Sequence, residues 1–329
     1  MVPDLAQEPD APVRDLVAVA IADAEEFASY ALSEGTRDAY RRAYTVYRDR
    51  CDQLGVTPLP CPVQDVLAVL GSLAKDGRSA SRLGVILAAI GLAHRLADLP
   101  DPTPHQRVKL LMRGVRNVRG TAPGKRQPLY ALPRPDETKS DLERVLAGIP
   151  ELTLVGKRDR ALLLVGFAAA LRRSELCGLT VQDIEPVERG MLVTIRRSKG
   201  DQAAAGQTVA IPHGTKGRCP VLALKEWLTA ARITEGGLFR SIDRHGRVGE
   251  SLSAQTVALV LKRRLKVAGL DPAMYSAHSL RSGFLTSAAD NGASVWELMG
   301  VSRHKDVKTL QNYVKRREGF ESYPGKGII

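Results

Sequence analysis

At 329 residues with 44% apolar side chains, the chain is long enough for two hydrophobic cores and ordinary in composition for a globular protein. Lys and Arg number 48 against 36 Asp and Glu, a formal charge of +12, which favours a polyanionic partner, nucleic acid first. The four cysteines, Cys51, Cys61, Cys177 and Cys219, form no C-x-x-C pair, so neither a zinc site nor a disulfide framework is expected.

Residues 1–26, opening "MVPDLAQEPDAPVRD", are acidic and proline-containing, and read as a loose tail. They lack the basic-then-apolar order of a signal peptide, so a cytoplasmic location is expected. A helical domain over 27–119 follows. "SEGTRDAYRRAYTVYRDRCDQLG" opens on the cap-like Ser33 and Thr36 and runs to Gly55, with Tyr40, Tyr44 and Tyr47 on one face that reads as core. "PVQDVLAVLGSLAKDG" begins with proline and ends with glycine, as helices tend to. "SASRLGVILAAIGLAHRLADL" sets Leu83, Ile86, Leu87 and Ile90 at helical spacing. In "PHQRVKLLMRGVRNVRG" an apolar stripe of Val108, Leu111, Met112, Val115 and Val118 opposes Lys109, Arg113, Arg116 and Arg119. That basic face suits either solvent or a nucleic-acid backbone.

"GTAPGKRQPLYALPRPDE", residues 120–137, is rich in proline, glycine and basic residues and is taken as a linker. Beyond it, over 138–329, helices are expected near 138–149, 157–171, 219–232, 253–268 and 278–291, with short ones near 294–300 and 306–315. "MLVTIRRSKG" and "QTVAIP" read as paired strands. The longest apolar run, "ALLLVGFAAAL" at 161–171, is too short for a membrane span and reads as a buried helix.

Phosphate-binding loops, dinucleotide fingerprints and H-E-x-x-H are missing from the sequence, and the six histidines do not cluster at metal-ligand spacing, so no metal or cofactor is expected. Taken singly, the remaining polar residues have ordinary readings. Arg172 could be a salt-bridged residue ending a buried helix, and Lys199 in "RRSKGDQ" a turn lysine. His278 and Arg281 of "SAHSLRSGF" could be three apart by chance. Together with His304 and Tyr313 they match what metal-free chemistry on a phosphodiester requires. Two guanidinium forks can hold the non-bridging oxygens, and histidine can donate a hydrogen bond or shuttle a proton. Lysine can protonate the departing oxygen. Tyrosine can attack once nearby cations stabilise its phenolate.

The order R…K…H-x-x-R…H…Y, in these contexts, resembles the tyrosine recombinase (phage integrase) family from about residue 27 to the end, with a Cre-like two-domain layout. "ALRRSEL" is similar to the family's first arginine box, which implies Arg172 as first clamp with Glu175 as a supporting acid. The resemblance further implies Lys199 as general acid, His278 and Arg281 as the H-x-x-R pair, His304 as the family's histidine or tryptophan, and Tyr313, nine residues on, as nucleophile. Ala170 stands where glycine is frequent, alanine being also small. Val301, Ser302 and Arg303 separate Gly300 from His304, where many members have the glycine adjacent.

The fold so implied is mainly α: a helical core-binding domain, then an α+β catalytic domain with a small antiparallel sheet. The implied activity is site-specific recombination through a 3′-phosphotyrosyl intermediate, by a homo-tetramer on two inverted-repeat sites in double-stranded DNA. The rival readings are type IB topoisomerase-like relaxation and a catalytically silent DNA-binding regulator. Candidate DNA contacts are Arg41, Arg42, Arg82, Lys109, Arg113, Arg116, Arg119, Lys125 and Arg126. The tail after Tyr313 is expected to dock either on its own domain or on a neighbouring protomer, and no arm-binding domain is expected in the short segment before residue 27.

Overall fold

A computed structural model describes residues 32–119, 126–196, 206–215, 217–304, 306–307, 309–311 and 313. The chain divides into two compact units, Met1–Pro123 and Gly124–Ile329.

Four helices make the first unit: α1 (Glu34–Leu54), α2 (Val63–Lys75), α3 (Ala80–Leu96) and α4 (Gln106–Arg119). Ser33 starts α1 by accepting from the Thr36 N–H at 3.3 Å, and Gly55 ends it with φ 67°, a conformation glycine adopts without penalty. Tyr47, Leu70, Leu83, Ile90, Val108 and Met112 are among the side chains that fill the core. Tyr47 donates its hydroxyl to the Pro58 carbonyl at 3.0 Å, while Tyr40 and Tyr44 pack half-buried beside it. His94 is structural. Its Nδ1 lies 2.9 Å from the Ile90 carbonyl and its Nε2 accepts from the Cys61 N–H at 3.0 Å. On α4 the apolar stripe is shorter than expected, because Val118 at the last turn is 85% exposed.

The second unit contains α5 (Asp141–Ala147), α6 (Leu154–Ala168), α7 (Arg173–Gly178), β1 (Ile184–Val187), β2 (Gly190–Ile195), β3 (Gln207–Pro212), α8 (Pro220–Ala231), α9 (Ala254–Val267), α10 (His278–Asp290) and α11 (Val295–Ser302). Residues 307, 309–311 and 313 are also helical. The sheet order is β1-β2-β3, antiparallel throughout, with Val193 facing Val209 across the expected pair. Neither β1 nor α7 is foreshadowed in the sequence reading. Both are short and gain their stability from packing rather than from periodicity. The core gathers Leu162, Leu163, Trp227, Phe239, Leu261 and Leu280 around α6, whose buried faces leave almost no polar side.

Residues placed by sequence in the linker are in part built into this unit. The N–H groups of Gln127 and Leu129 donate to Met274 and Ser279 at 2.7 and 2.9 Å, and Leu129 is fully buried. Gly283 of α10 makes this docking possible: a Cβ there would lie 2.1 Å from the Leu129 carbonyl oxygen. Gly283→Ala is therefore expected to push the 127–131 segment off α10 at a cost of about 1–3 kcal/mol, read from denaturant unfolding.

One buried charge cluster ties α6 to α9. Asp159 accepts from Arg158 Nη2 at 2.7 Å and from Arg264 Nε at 2.8 Å, all three side chains being buried. Removing the carboxylate strands two guanidinium groups in the core, so Asp159→Ala is expected to cost about 3–5 kcal/mol, visible as a lowered unfolding midpoint. Among the described residues no helix is long and apolar enough to cross a membrane.

Candidate active site

Two sharp turns, each made by a non-glycine residue in the left-handed region, bring the candidate residues together. The first follows α6, where Ala170 has φ 46° and redirects the chain so that Arg172 occupies the N-cap position of α7. Glu175, one turn into α7, accepts from the Arg172 backbone N–H at 2.8 Å and from Arg172 Nη1 at 2.5 Å. The same carboxylate thus caps the helix and fixes the guanidinium. Glycine at position 170 would supply the left-handed turn freely, so the relevant property is backbone conformation and not the small size on which the sequence comparison rested.

The second turn follows α11. That helix starts with a capping box, Ser294 and Glu297, and runs past Gly300 to Ser302. Arg303, with φ 59°, then makes the turn and releases His304. Gly300 lies inside the helix and performs no turn. The three residues between it and His304 are a longer helix plus a cap, and they leave His304 at the turn's exit.

Arg281, three residues into α10, is 1% exposed. Its Nη1 donates to the Ala170 carbonyl at 2.6 Å and its Nη2 to the Ser302 carbonyl, so one side chain grips both turns. The His304 ring nitrogens lie 3.4 Å from Nη2, and Ser302 Oγ is 2.8 Å from His304 Nδ1. His278 opens α10 with its ring at the surface. Tyr313 is half-buried against the small core of Leu285, Ala289, Leu298 and Leu310, close enough to Arg281 for each to feel the other's charge.

The electrostatics describe a basin short of negative charge. Burial, with Arg172 and Arg303 nearby, lowers Arg281 to about 10, still protonated at neutral pH. Burial would raise Glu175, but the Arg172 N–H and the Arg303 and Arg172 guanidinium groups outweigh it and hold the carboxyl below its usual range. His304 is lowered to about 4, by burial first and then by Arg281 and Arg172. His278 is exposed, yet burial by the protein around it, followed by Arg281 and Arg172, also lowers it. Tyr313 runs against the sequence expectation. Burial raises its pKa more than Arg281 lowers it, so the resting residue is a phenol. Three guanidinium groups surround one carboxylate here, an arrangement that an entering phosphodiester would complete.

The phage integrase family model matches residues 138–319. The chain is also 32% identical over 293 residues to an integrase/recombinase XerD homolog of Selenomonas ruminantium, spanning 88% of this chain and 84% of that one. The chain belongs to the phage integrase family. It is a site-specific tyrosine recombinase, an enzyme that transfers DNA strands. The tyrosine recombinase XerA of Pyrococcus furiosus is 25% identical over 292 residues, 88% of each chain. In fold, the recombinase resembles the Tn1549 transposon integrase in complex with transposon right end DNA (TM-score 0.61, 16% identity, 88% of this chain and 94% of that one). It likewise resembles a lambda integrase dimer bound to a core site (TM-score 0.59, 18% identity, 89% and 93%). These likenesses agree with the mainly helical fold and its small antiparallel sheet.

Of the seven residues singled out by sequence, the recombinase brings six into one neighbourhood: Arg172, Glu175, His278, Arg281, His304 and Tyr313. Lys199 falls between the paired ends Ile195 and Gln207 and lies outside the described residues, as do Lys125 and the side chain of Arg119. Among the candidate DNA contacts, Arg42, Arg82, Lys109, Arg113, Arg116 and Arg126 are exposed. Arg41 is exposed too, pairing with Asp38 at 2.9 Å. The sequence reading missed Arg303. Its only signal was the departure at "GVSRHKD", where an arginine precedes the histidine.

Proposed function

We propose that Tyr313 attacks a scissile DNA phosphate held by Arg172 and Arg281, forming a 3′-phosphotyrosyl bond and releasing a 5′-hydroxyl. The bond from phosphorus to the 5′ oxygen breaks as the bond to the Tyr313 oxygen forms, so the energy of the phosphodiester is kept and rejoining consumes no nucleotide. Lys199 protonates the departing oxygen. The phenol proton passes to a neutral imidazole, His278 being nearest the surface of the basin. His304 donates to a non-bridging oxygen.

The observation that carries this reading is the placement of Arg281. It is buried, holds both turns through the Ala170 and Ser302 carbonyls, and lies within electrostatic reach of Tyr313. An arginine so fixed is a preorganised clamp, which is the form in which electrostatic stabilisation of a transition state is strongest.

Residues 27–119 form the core DNA-binding domain and the second unit, which takes in residues 127–131, the catalytic domain. The exposed basic residues of α1, α3 and α4, with Lys125 and Arg126, contact backbone phosphates. They position the protein and leave sequence discrimination to other groups. Four protomers assemble on two inverted-repeat sites and exchange strands in two rounds through a Holliday junction. The protein works in the cytoplasm, where the chromosome is accessible.

The test is to lyse cells expressing the protein in hot detergent and sequence the DNA that stays attached. Attachment concentrated at a locus with inverted repeats supports the reading. DNA recovered by native pull-down but never in covalent form opposes it and favours a binding regulator.

The histidines add a pH dependence. Both folded pKa values lie below 6.5, so both rings are neutral at pH 7 and His278 gains its proton only on further acidification. The second-order rate constant for cleavage by free enzyme is expected to fall on acidification with a midpoint below pH 6.5. A fall centred at or above pH 6.5 would contradict a neutral His278 as proton acceptor.

A further inference from the structure

We infer that Arg303 is a positioning residue for strand cleavage, a buried staple that fixes the first clamp and His304 relative to one another. The inference deepens the catalytic reading above and rests on Arg172, Arg281 and Tyr313 forming the reactive set. Arg303 is 2% exposed at its side chain and donates to Glu175 at 2.9 Å, to the Ala169 carbonyl at 3.1 Å, and to the Val301 carbonyl at 2.6 Å. A weaker contact of 3.4 Å reaches the Ala170 carbonyl, and Nε alone is left without a partner among the described residues.

This set of partners is unusual for a helix cap. The two left-handed residues, Ala170 and Arg303, are the hinges from which Arg172 and His304 emerge, and the Arg303 side chain spans from one hinge to the other. It also meets Glu175, the carboxylate that holds Arg172. Glu175 Oε1 receives Arg172 Nη1, while Oε2 receives the Arg172 backbone N–H and Arg303 Nη2. Arg172 is therefore oriented by a carboxylate that Arg303 itself orients.

A glycine would make the turn at 303 with less backbone strain, so arginine stands there against a conformational cost. A buried ion pair is weak grounds for stability, since desolvation offsets most of the attraction. What the contacts do provide is geometry, at the place where a displacement of about 1 Å can slow a reaction about a hundredfold.

The experiment uses the full chain and a nicked duplex carrying the locus recovered by covalent trapping, with single-turnover adduct formation measured at saturating DNA. Arg303→Gly suits the backbone and removes the staple. It is expected to slow the rate constant about 10- to 100-fold, with DNA affinity within about twofold of wild type. Glu175→Gln combined with Arg303→Gly is expected to be no slower than the slower single variant, because both act on Arg172 through one carboxylate. Arg303→Lys, which keeps the charge, recovers part of the rate and carries the test should the glycine variant not fold.

An unchanged rate constant with only a smaller adduct yield would mean a purely structural role and overturns the inference, as would strictly additive losses. Tyr313→Phe is run beside these variants. An adduct persisting in that lane refutes the catalytic reading, whereas its absence together with a wild-type rate for Arg303→Gly refutes the staple alone.

Discussion

Tyr313→Phe is expected to abolish the covalent DNA adduct, lowering strand cleavage by at least about four orders of magnitude, while leaving DNA affinity nearly unchanged. Phenylalanine keeps the ring against Leu285, Ala289, Leu298 and Leu310 and deletes only the hydroxyl, so the fold of this small core persists. Two other phenols among the described residues are engaged elsewhere. Tyr275 donates to the buried Asp141 at 3.0 Å and is pushed up to about 12, by burial and then by that carboxylate. Tyr47 is buried in the first unit with its hydroxyl on the Pro58 carbonyl. Adduct formation on nicked duplex, resolved in denaturing gels, separates the chemical defect from binding, which is measured by gel shift.

Arg281→Lys is expected to slow cleavage by about 10²–10³-fold, with binding again close to wild type because the charge survives. The guanidinium holds the Ala170 carbonyl with one nitrogen and the Ser302 carbonyl with the other, and the fixed plane still offers N–H groups toward His304. An ammonium group is a single point donor on a flexible stem. It can satisfy one carbonyl or face a phosphate oxygen, but it cannot lock both turns and do so. Lysine is a sharper probe than alanine, which would leave two carbonyl oxygens unpaired in the interior and mix folding with chemistry. The discriminating readout is a single-turnover rate constant at saturating DNA.

Helices were the most legible part of the fold. The run that became α1 announced itself by cap residues, α3 by apolar spacing and α6 by its long apolar run, and Ser33 and Gly55 bound α1 in the structure as they did in the sequence. The pairing of β2 with β3 was also legible. β1 and α7 were not, because four and six residues carry too little periodic signal and are held by tertiary contacts. Residues 127–131 looked like linker because they lie in the Pro-, Gly- and basic-rich stretch 120–137. Their docking depends on the bare backbone of Gly283, 152 or more residues away in sequence, which no local pattern reveals.

The candidate site was legible in its residue types and order, less so in its geometry. Arg172, His278, Arg281 and Tyr313 were picked out through the resemblance of their motifs, in order, to the family's. The two left-handed turns were not, because left-handed backbone is ordinarily signalled by glycine or asparagine, and here alanine and arginine adopt it. For the same reason Arg303 escaped notice: its role comes mainly from the Ala169 and Ala170 carbonyls and the Glu175 carboxylate, supplied by a distant segment. The direction of the Tyr313 shift was equally hidden. Sequence shows the cations beside the phenol, but only the folded chain shows that burial outweighs them.

The central claim is that one phenolic oxygen becomes bonded to DNA phosphorus, and the most direct measurement locates that bond. Trapped adduct is digested with nuclease and protease, and the nucleotidyl peptide is sequenced by mass spectrometry. The account predicts a single modified residue, Tyr313, out of the eight tyrosines in the chain, with a 3′-linked nucleotide attached. Phosphate bonded to any other tyrosine, or to a serine, would contradict it.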